Sequence, residues 1–407
     1  MVKEKIAPLI NLSIRGFTLL GKFILLFFMA KFLTLAEVGV YGLLVVLVSY
    51  SLYAVGFDFY TYSTREIISL KKDEWCGVIK KQGQLILGAY IIVLPIIIIC
   101  SSFFISSEWL IFLAILIVLE HLNQEMMRLL IVDNKAVLAD NLLFIRSGLW
   151  CYIVILLMFS QTIDANLENV LLFWIIFNSI ALIIGIFYFF QDIQFKSAKK
   201  LNNQWLANGL KICLPLLFST LIVRAITTVD RIWLEKLEGV EVVAVYALFV
   251  GLTNSLISFL ETGVFSFIYP KLIREKNNPQ VFNGLVKKMH IQAIAVIVVI
   301  SGALVVFLPF LLKWVNKEAY FEYYNIFYLI LIANIFYCLS MIPHYILYAK
   351  NQDRKIVISH VSSLIVFVTS TLMIVYNQIP VAVAYGLVCT FVFMFFIKSF
   401  FSLKEIR

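Results

Sequence analysis

Twelve long stretches of this sequence carry almost no charge, and each is long enough to cross a membrane as a helix. A spanning helix needs about 20 mostly apolar residues, and none of the stretches shows the strict alternation of membrane β-barrel strands. Of the 407 residues 62% are apolar and only 14% are charged, too few charges to cover so apolar a core in water. We therefore predict an all-α integral membrane protein with spans at 16–33, 38–57, 83–104, 109–130, 139–160, 168–190, 207–233, 242–268, 289–312, 322–348, 355–376 and 380–401.

The basic residues predict how the chain is threaded through the membrane. With the N-terminus placed in the cytoplasm, the seven cytoplasmic segments hold 25 of the 33 lysines and arginines, a count that includes four residues near the cytoplasmic ends of spans, Arg128, Lys211, Lys355 and Lys398. Cytoplasmic loops are enriched in Lys and Arg, so we predict that both termini are cytoplasmic. The six outer loops hold only Lys31, Lys236, Lys313 and Lys317.

Two segments about half the chain apart have similar sequences. KFLTLAEVGVYGLLVVL begins at Lys31 and KLEGVEVVAVYALFVGL begins at Lys236, and without gaps they share seven identical residues, including Tyr41 and Tyr246. We predict two six-helix lobes, 1–200 and 201–407, each opened by a similar helix pair. An even number of spans per lobe gives a parallel pseudo-repeat, an arrangement found in secondary transporters with the substrate site between the halves.

Several motifs resemble those of Wzx-type polysaccharide-unit flippases, which belong to the multidrug/oligosaccharidyl-lipid/polysaccharide (MOP) exporter superfamily. The segment AKFLTLAEVGVY contains Gly39 and Tyr41 at the positions of the family pattern, and VDRIWL, VAVY and IYPKL are similar to its second half. The resemblance implies a bacterial cytoplasmic-membrane protein with a central cavity between two lobes. It also implies a substrate, an oligosaccharide repeat unit on undecaprenyl diphosphate, used to assemble O-antigen of lipopolysaccharide or another surface polysaccharide.

Five cations lie in or at the edge of the predicted spans, where a charge is costly unless it faces protein or water. Such cations suit a diphosphate, because Arg offers a planar fork of donors and Lys a point charge. We predict that they line a cationic substrate cavity. For Arg15 the alternative is an anchor at the membrane interface, and for Arg231 an ion pair with Asp230 or a side chain that reaches the interface. The candidates are Arg15, Lys22, Arg146, Arg224 and Arg231.

Carboxylates at membrane depth are candidates for coupling transport to a proton or sodium gradient. In the fourth span Glu120 and Glu125 lie on adjacent ridges of one helix, and Asp230 precedes Arg231 in the seventh span. The alternative is structural, with Glu120 or Glu125 neutralising Arg146 of the next span.

The leading hypothesis is a flippase that works by alternating access, without an enzymatic activity, a metal or an organic cofactor. The alternatives are a membrane polysaccharide polymerase or glycosyltransferase, which usually carries a large outer loop, and a multidrug exporter of the same superfamily, which needs an acidic cavity. The expected partners are the lipid-linked oligosaccharide, membrane lipids and other polysaccharide assembly proteins. No basic domain suited to nucleic acid is visible in the sequence.

The threading can be tested with a single cysteine placed at Glu238 in a variant that lacks the six natural cysteines. We expect this cysteine to react with a membrane-impermeant thiol reagent added from outside, since the segment follows the seventh span. A cysteine at Lys276 should react only from the cytoplasmic side. Reaction of the Glu238 position from the cytoplasm alone would reverse the orientation.

Overall fold

The structure, a computed structural model, describes residues 2–191 and 202–406. In these ranges the chain is helical and contains no strand. Short 3-10 (Lys72–Glu74) and π (Ile145–Leu149, Glu261–Phe265) segments join some of the helices. The helices are α1 (Val2–Phe32), α2 (Leu35–Gly56), α3 (Tyr60–Ser69), α4 (Trp75–Ser101), α5 (Ser107–Val132), α6 (Ala136–Phe144), α7 (Trp150–Phe159), α8 (Leu167–Phe190), α9 (Asn203–Glu238), α10 (Val240–Leu260), α11 (Ser266–Arg274), α12 (Pro279–Val315), α13 (Glu318–Glu322), α14 (Tyr324–Ala349), α15 (Asp353–Tyr376) and α16 (Ala382–Ile406).

The described helices confirm the prediction of a multi-pass, all-α membrane protein. Eleven helices or joined helices are long and apolar enough to cross a membrane. A twelfth span is obtained if the two parts of α9, Asn203–Pro215 and Thr220–Glu238, count as one. Pro215 lacks a backbone N–H donor and crowds the preceding turn, which explains the 56° bend between the two parts of α9.

The chain forms two compact units, Met1–Leu221 and Ile222–Arg407. The division falls inside α9, a span that the sequence assigns to the second lobe. The predicted boundary between residues 200 and 201 lies outside the described residues, and the parallel pseudo-repeat stays a prediction.

In the first unit α1 packs along the fifth span, which is made of α6, a π-turn and α7. Two glycines allow this close approach. A methyl group on Gly21 would lie 3.0 Å from the carbonyl oxygen of Gly148, and one on Gly148 would lie 2.8 Å from the Cα of Thr18. Small residues let membrane helices approach closely, where packing and not the hydrophobic effect drives association.

The outer end of the first unit, on the predicted topology, is organised by Glu37. Its Oε2 accepts hydrogen bonds from the backbone N–H and the hydroxyl of Thr34, at 2.9 and 2.7 Å, and closes a capping box at the start of α2. Its Oε1 accepts from the backbone N–H of Leu167 at 2.9 Å, at the first turn of α8. One carboxylate therefore caps two helices.

In the second unit α16 packs between α14 and α15, while α10 packs on α12 and α14. A cluster of buried apolar residues joins α10, α12 and α14, including Leu256, Met289 and Ile342. Glu238 accepts a hydrogen bond from the backbone N–H of Val381 at 3.0 Å, just before α16 begins. The side chains of α12 are mostly exposed, as are those of α4 in the first unit.

The contact between α1 and the fifth span yields a stability prediction. We expect Gly148→Ala to lower the free energy of unfolding by about 1–3 kcal/mol, since its new methyl group overlaps the α1 backbone at Thr18. The measurement is thermal unfolding of the purified protein in detergent, followed by intrinsic fluorescence.

The matched control lies on α1 itself. A methyl group added to Gly16 would have no other atom within 4 Å, so Gly16→Ala should be neutral or stabilising by up to about 1 kcal/mol through helix propensity. Equal effects of the two substitutions would mean that the close approach contributes nothing.

Candidate functional site

The first unit contains a buried ion pair whose carboxylate also accepts hydrogen bonds from other side chains. Glu120 of α5 and Arg146 of the fifth span are both buried and form a salt bridge. The carboxylate Oε1 also accepts hydrogen bonds from Trp174 Nε1 at 2.8 Å and from Asn178 Nδ2 at 3.2 Å, both from α8. The ion-pair alternative raised for Glu120 is therefore what the structure shows. Three transmembrane segments meet on this one carboxylate.

A π-turn positions Arg146 for this contact. The segment Ile145–Leu149 has π-helical geometry, which is rare and often occurs at functional sites. Asn178 Nδ2 lies 3.3 Å from the carbonyl oxygen of Arg146 and so satisfies a group in the irregular turn. Asn123 of α5 donates to the carbonyl oxygen of Asn178 at 2.9 Å and extends the network.

Glu125, one turn further along α5, belongs to a second network. It forms a salt bridge with Arg128 and accepts a hydrogen bond from Gln82 Nε2 at 2.7 Å. Its other neighbour is His121, whose Nε2 lies 3.9 Å from the carboxylate and whose Nδ1 lies 2.8 Å from the hydroxyl of Tyr90. The phenol is hydrogen-bonded to the imidazole, whereas 3.9 Å between the imidazole and the carboxylate is longer than a hydrogen bond, so a proton would pass between them only if these two groups moved closer.

An aromatic ring supports the cation of this second network. The guanidinium of Arg128 lies 3.3 Å from the ring centre of Tyr60, a cation–π contact. Tyr60 belongs to α3, outside the spans. Burial raises the pKa of its hydroxyl, an effect partly offset by the positive charge of Arg128. The hydroxyl therefore stays protonated at physiological pH, and the neutral ring presents its π face to Arg128.

Arg15 and Lys22, the two cations of α1, have different surroundings. Arg15 donates to the buried carboxylate of Asp140 at 2.9 and 3.1 Å, while about half of its own side chain remains exposed. Lys22 is exposed, and in the described part of the chain no carboxylate forms a salt bridge with it. It lies ten residues before the end of its span at Phe32, about 15 Å along a helix, which is further than a lysine side chain can reach.

In the second unit Asp230 and Arg231 are both buried in α9. Asp230 accepts a hydrogen bond from the hydroxyl of Tyr246 at 2.6 Å and another from the backbone N–H of Arg231 at 2.7 Å. Arg224 is exposed on the same helix, near enough to Glu261 for their charges to interact. The five predicted cations are thus divided between the units, and their meeting in one cavity stays a prediction.

Several partners of these charges are not identified by the sequence analysis. Asp140 lies at the start of a span, and Trp174 and Asn178 lie in an apolar helix, although their i, i+4 spacing places both on one face. The sequence analysis also does not single out Lys398, which falls near the end of the predicted span 380–401 and which the structure buries inside α16. Lys398 is flanked by FFI and SFF, and these mostly apolar neighbours are the feature of the sequence that indicates its burial.

Solved structures of membrane transporters share this architecture. An inward-facing multidrug-resistance transporter of the MATE family, in the MOP superfamily, is similar over 98% of both chains with a TM-score of 0.79 and 13% identity. The lipid II flippase MurJ, in an inward closed conformation, is similar over 98% of this chain and 89% of its own, with a TM-score of 0.74 and 13% identity. The chain has the fold of the MOP superfamily transporters. No family model and no curated protein matches the sequence.

A third similar structure concerns the polarity of the binding pocket. A MOP superfamily transporter from Pyrococcus furiosus Vc1, described as having a binding pocket of reversed polarity and a different function, is similar over 98% of this chain and 94% of its own. Its TM-score is 0.57 and its identity 13%. At these identities the likeness establishes the fold, and the residues of this chain must indicate the cargo.

The Glu120–Arg146 pair yields a test of its structural role. We expect Glu120→Gln and Arg146→Gln each to lower the free energy of unfolding by about 3–5 kcal/mol, since either substitution leaves one buried charge unpaired. The double variant should lose at least about 1 kcal/mol less than the sum of the two, because the partners are in contact. The measurement is a double-mutant cycle of thermal unfolding in detergent.

Glu108→Gln provides the control, since Glu108 is exposed at the other end of the same helix. It should change the unfolding temperature little. Additive effects of Glu120→Gln and Arg146→Gln would contradict the assignment of the pair as one structural unit.

Proposed function

We propose that the protein is a flippase that moves an oligosaccharide repeat unit on undecaprenyl diphosphate across the bacterial cytoplasmic membrane. The unit would be used to build O-antigen or another surface polysaccharide. The proposal combines the MOP transporter fold, which a lipid II flippase shares, with the resemblance of the motifs around Tyr41 and Asp230. Both termini would be cytoplasmic.

One observation on the first unit carries the preference for an anionic cargo. The acidic side chains Glu120, Glu125 and Asp140 are each paired with an arginine. Lys22 is exposed at membrane depth with no salt bridge to a carboxylate in the described residues. A charge there needs water or an anion, and a diphosphate supplies charge-assisted hydrogen bonds to an ammonium.

Transport would proceed by alternating access, with the cargo site open to one side of the membrane at a time. Arg224 is the counterpart of Lys22 in this proposal, since it is exposed on α9, the opening helix of the second half. Arg15 and Arg146 are ion-paired and Arg231 is buried beside Asp230, so these three would orient the site more than bind cargo. Arg224 interacts with Glu261 but is exposed, which would let cargo reach it.

Energy would come from a proton or sodium gradient. Among the three candidate acids Glu125 suits this role best, because His121 and Tyr90 adjoin it. Glu120 accepts three side-chain contacts, and Asp230 is held by Tyr246. Glu120 therefore has fewer open positions for an exchanging ion than Glu125, whereas Asp230 accepts from two donors, as Glu125 does.

A multidrug exporter is the second candidate, favoured by the fold similarity to a MATE family transporter with a TM-score of 0.79. A cationic drug would need an uncompensated acid. Because Glu120, Glu125 and Asp140 are each paired with an arginine, none of these acids is uncompensated and able to bind a cationic drug. The exposed Lys22, in contrast, could bind an anion. A membrane polymerase or glycosyltransferase has less support, since the similar structures are transporters and a flippase.

The proposal predicts a charge requirement on the two opening helices. We expect Lys22→Gln and Arg224→Gln each to reduce glycan export at least about tenfold at normal protein abundance, a loss that corresponds to one charge-assisted contact. Lys22→Arg and Arg224→Lys should restore part of the export. Export would be measured by rescue of a bacterial strain that lacks its own flippase, with protein level determined alongside.

Lys211→Gln and Lys313→Gln are the controls, since both lysines are exposed and lie outside the proposed site. They should export normally. Full export by both Lys22→Gln and Arg224→Gln at normal abundance would overturn the cationic site.

A further inference from the structure

The second unit contains a cation that the proposed cargo site does not use. Lys398 lies inside α16 with only 1% of its surface exposed. An ammonium group at such depth is very unfavourable unless an opposite charge or hydrogen-bond acceptors compensate it. In the described part of the chain no carboxylate forms a salt bridge with Lys398.

Two histidines from the neighbouring helices α14 and α15 lie within electrostatic range of this lysine. His344 of α14 and His360 of α15 stack with ring centres 5.8 Å apart and ring planes within 13°. The charge of Lys398 acts on both rings. The Nδ1 atoms of both histidines are buried without a hydrogen-bond partner in the described structure. No carboxylate in the described part of the chain forms a salt bridge with any of these three nitrogen-bearing side chains.

The other polar groups nearby are already engaged. The hydroxyl groups of Ser359, Ser363 and Ser402 donate to carbonyl oxygens of their own helices. An ion pair between Lys355 and Glu405, at 2.6 Å, joins the ends of α15 and α16 and is self-contained. Hydrogen-bond capacity therefore remains on the lysine and the two imidazoles.

A cavity of about 330 Å³ reaches one member of the cluster, His344. His344 lines the cavity on one side and stacks on His360 on the other. The π-turn Glu261–Phe265 forms part of the wall. The negative charge of Glu261 in this wall interacts with Arg224, so the cavity is not simply acidic. The remaining lining residues are Ser266, Tyr269, Tyr345 and Tyr348.

We propose that His344, His360 and Lys398 form a binding site for one small monovalent inorganic anion of the chloride class. The anion would enter through the cavity beside His344 and accept hydrogen bonds from the ammonium and the imidazole N–H groups. It would supply the negative charge that α14, α15 and α16 lack at this position. A phosphate group would need more donors and more room than three tightly packed helices provide.

A charged Lys398 with a bound anion and a neutral Lys398 without one are the two alternative states. Only the first is stabilised by added chloride, so the two can be distinguished. We would measure thermal unfolding of the full-length protein in detergent at pH 7, in sodium chloride and in sodium gluconate at equal ionic strength. Chloride should raise the unfolding temperature saturably, by about 3–5 °C at a hundredfold excess over its Kd. Bromide should act similarly.

Lys398→Met should abolish the chloride-dependent rise, whereas Lys404→Met should retain it, because Lys404 is exposed on the same helix. His344→Gln and His360→Gln preserve the lysine and should raise the Kd for chloride at least about tenfold, so they test the site if Lys398→Met does not fold. Equal unfolding temperatures of the wild-type protein in chloride and gluconate would overturn the proposal. Loss of the effect in Lys404→Met would overturn it as well.

Discussion

A charge at membrane depth must meet an opposite charge, water or a ligand, and this constraint governs how the first unit is built. Glu120 and Arg146 satisfy it mutually, and Trp174 and Asn178 supply the additional hydrogen bonds that a buried pair requires. Because these residues come from α5, the fifth span and α8, the network also fixes how three helices pack. The π-turn at Arg146 is part of that arrangement, since Asn178 bonds its carbonyl oxygen.

Three local arrangements in the first unit have counterparts in the second. Glu37 bonds the backbone N–H at the start of α8, and Glu238 does the same just before α16. Tyr41 and Tyr246, aligned by the sequence, each lie near a buried acid: Glu120 in one unit and Asp230 in the other. The peripheral helices α4 and α12 are each the third span of their half. These parallels agree with the predicted pseudo-repeat, which is still to be tested by superposition of the halves.

Span number, helical class and the presence of ionisable residues at depth can be predicted from the sequence, because hydropathy and length depend on neighbouring residues alone. The partners cannot, since Asp140, Trp174 and Asn178 lie far from Arg15 and Glu120 along the chain and share no periodic pattern with them. The burial of Lys398 is missed for a related reason. A lysine seven residues before the end of a span looks interfacial in sequence, and only the packing of α14 and α15 around it shows that it is buried.

The distinction between paired and unpaired cations separates structure from function. Arg146 has a permanent counter-charge in Glu120, so its electrostatic role is complete in the folded protein. Lys22 is exposed, and a group as large and mobile as a lipid diphosphate could reach and leave it. Lys398 is enclosed, and only a small ion could do so there. On the proposals made above, the partners of Lys22 and Lys398 would bind and leave, whereas the partner of Arg146 is part of the chain.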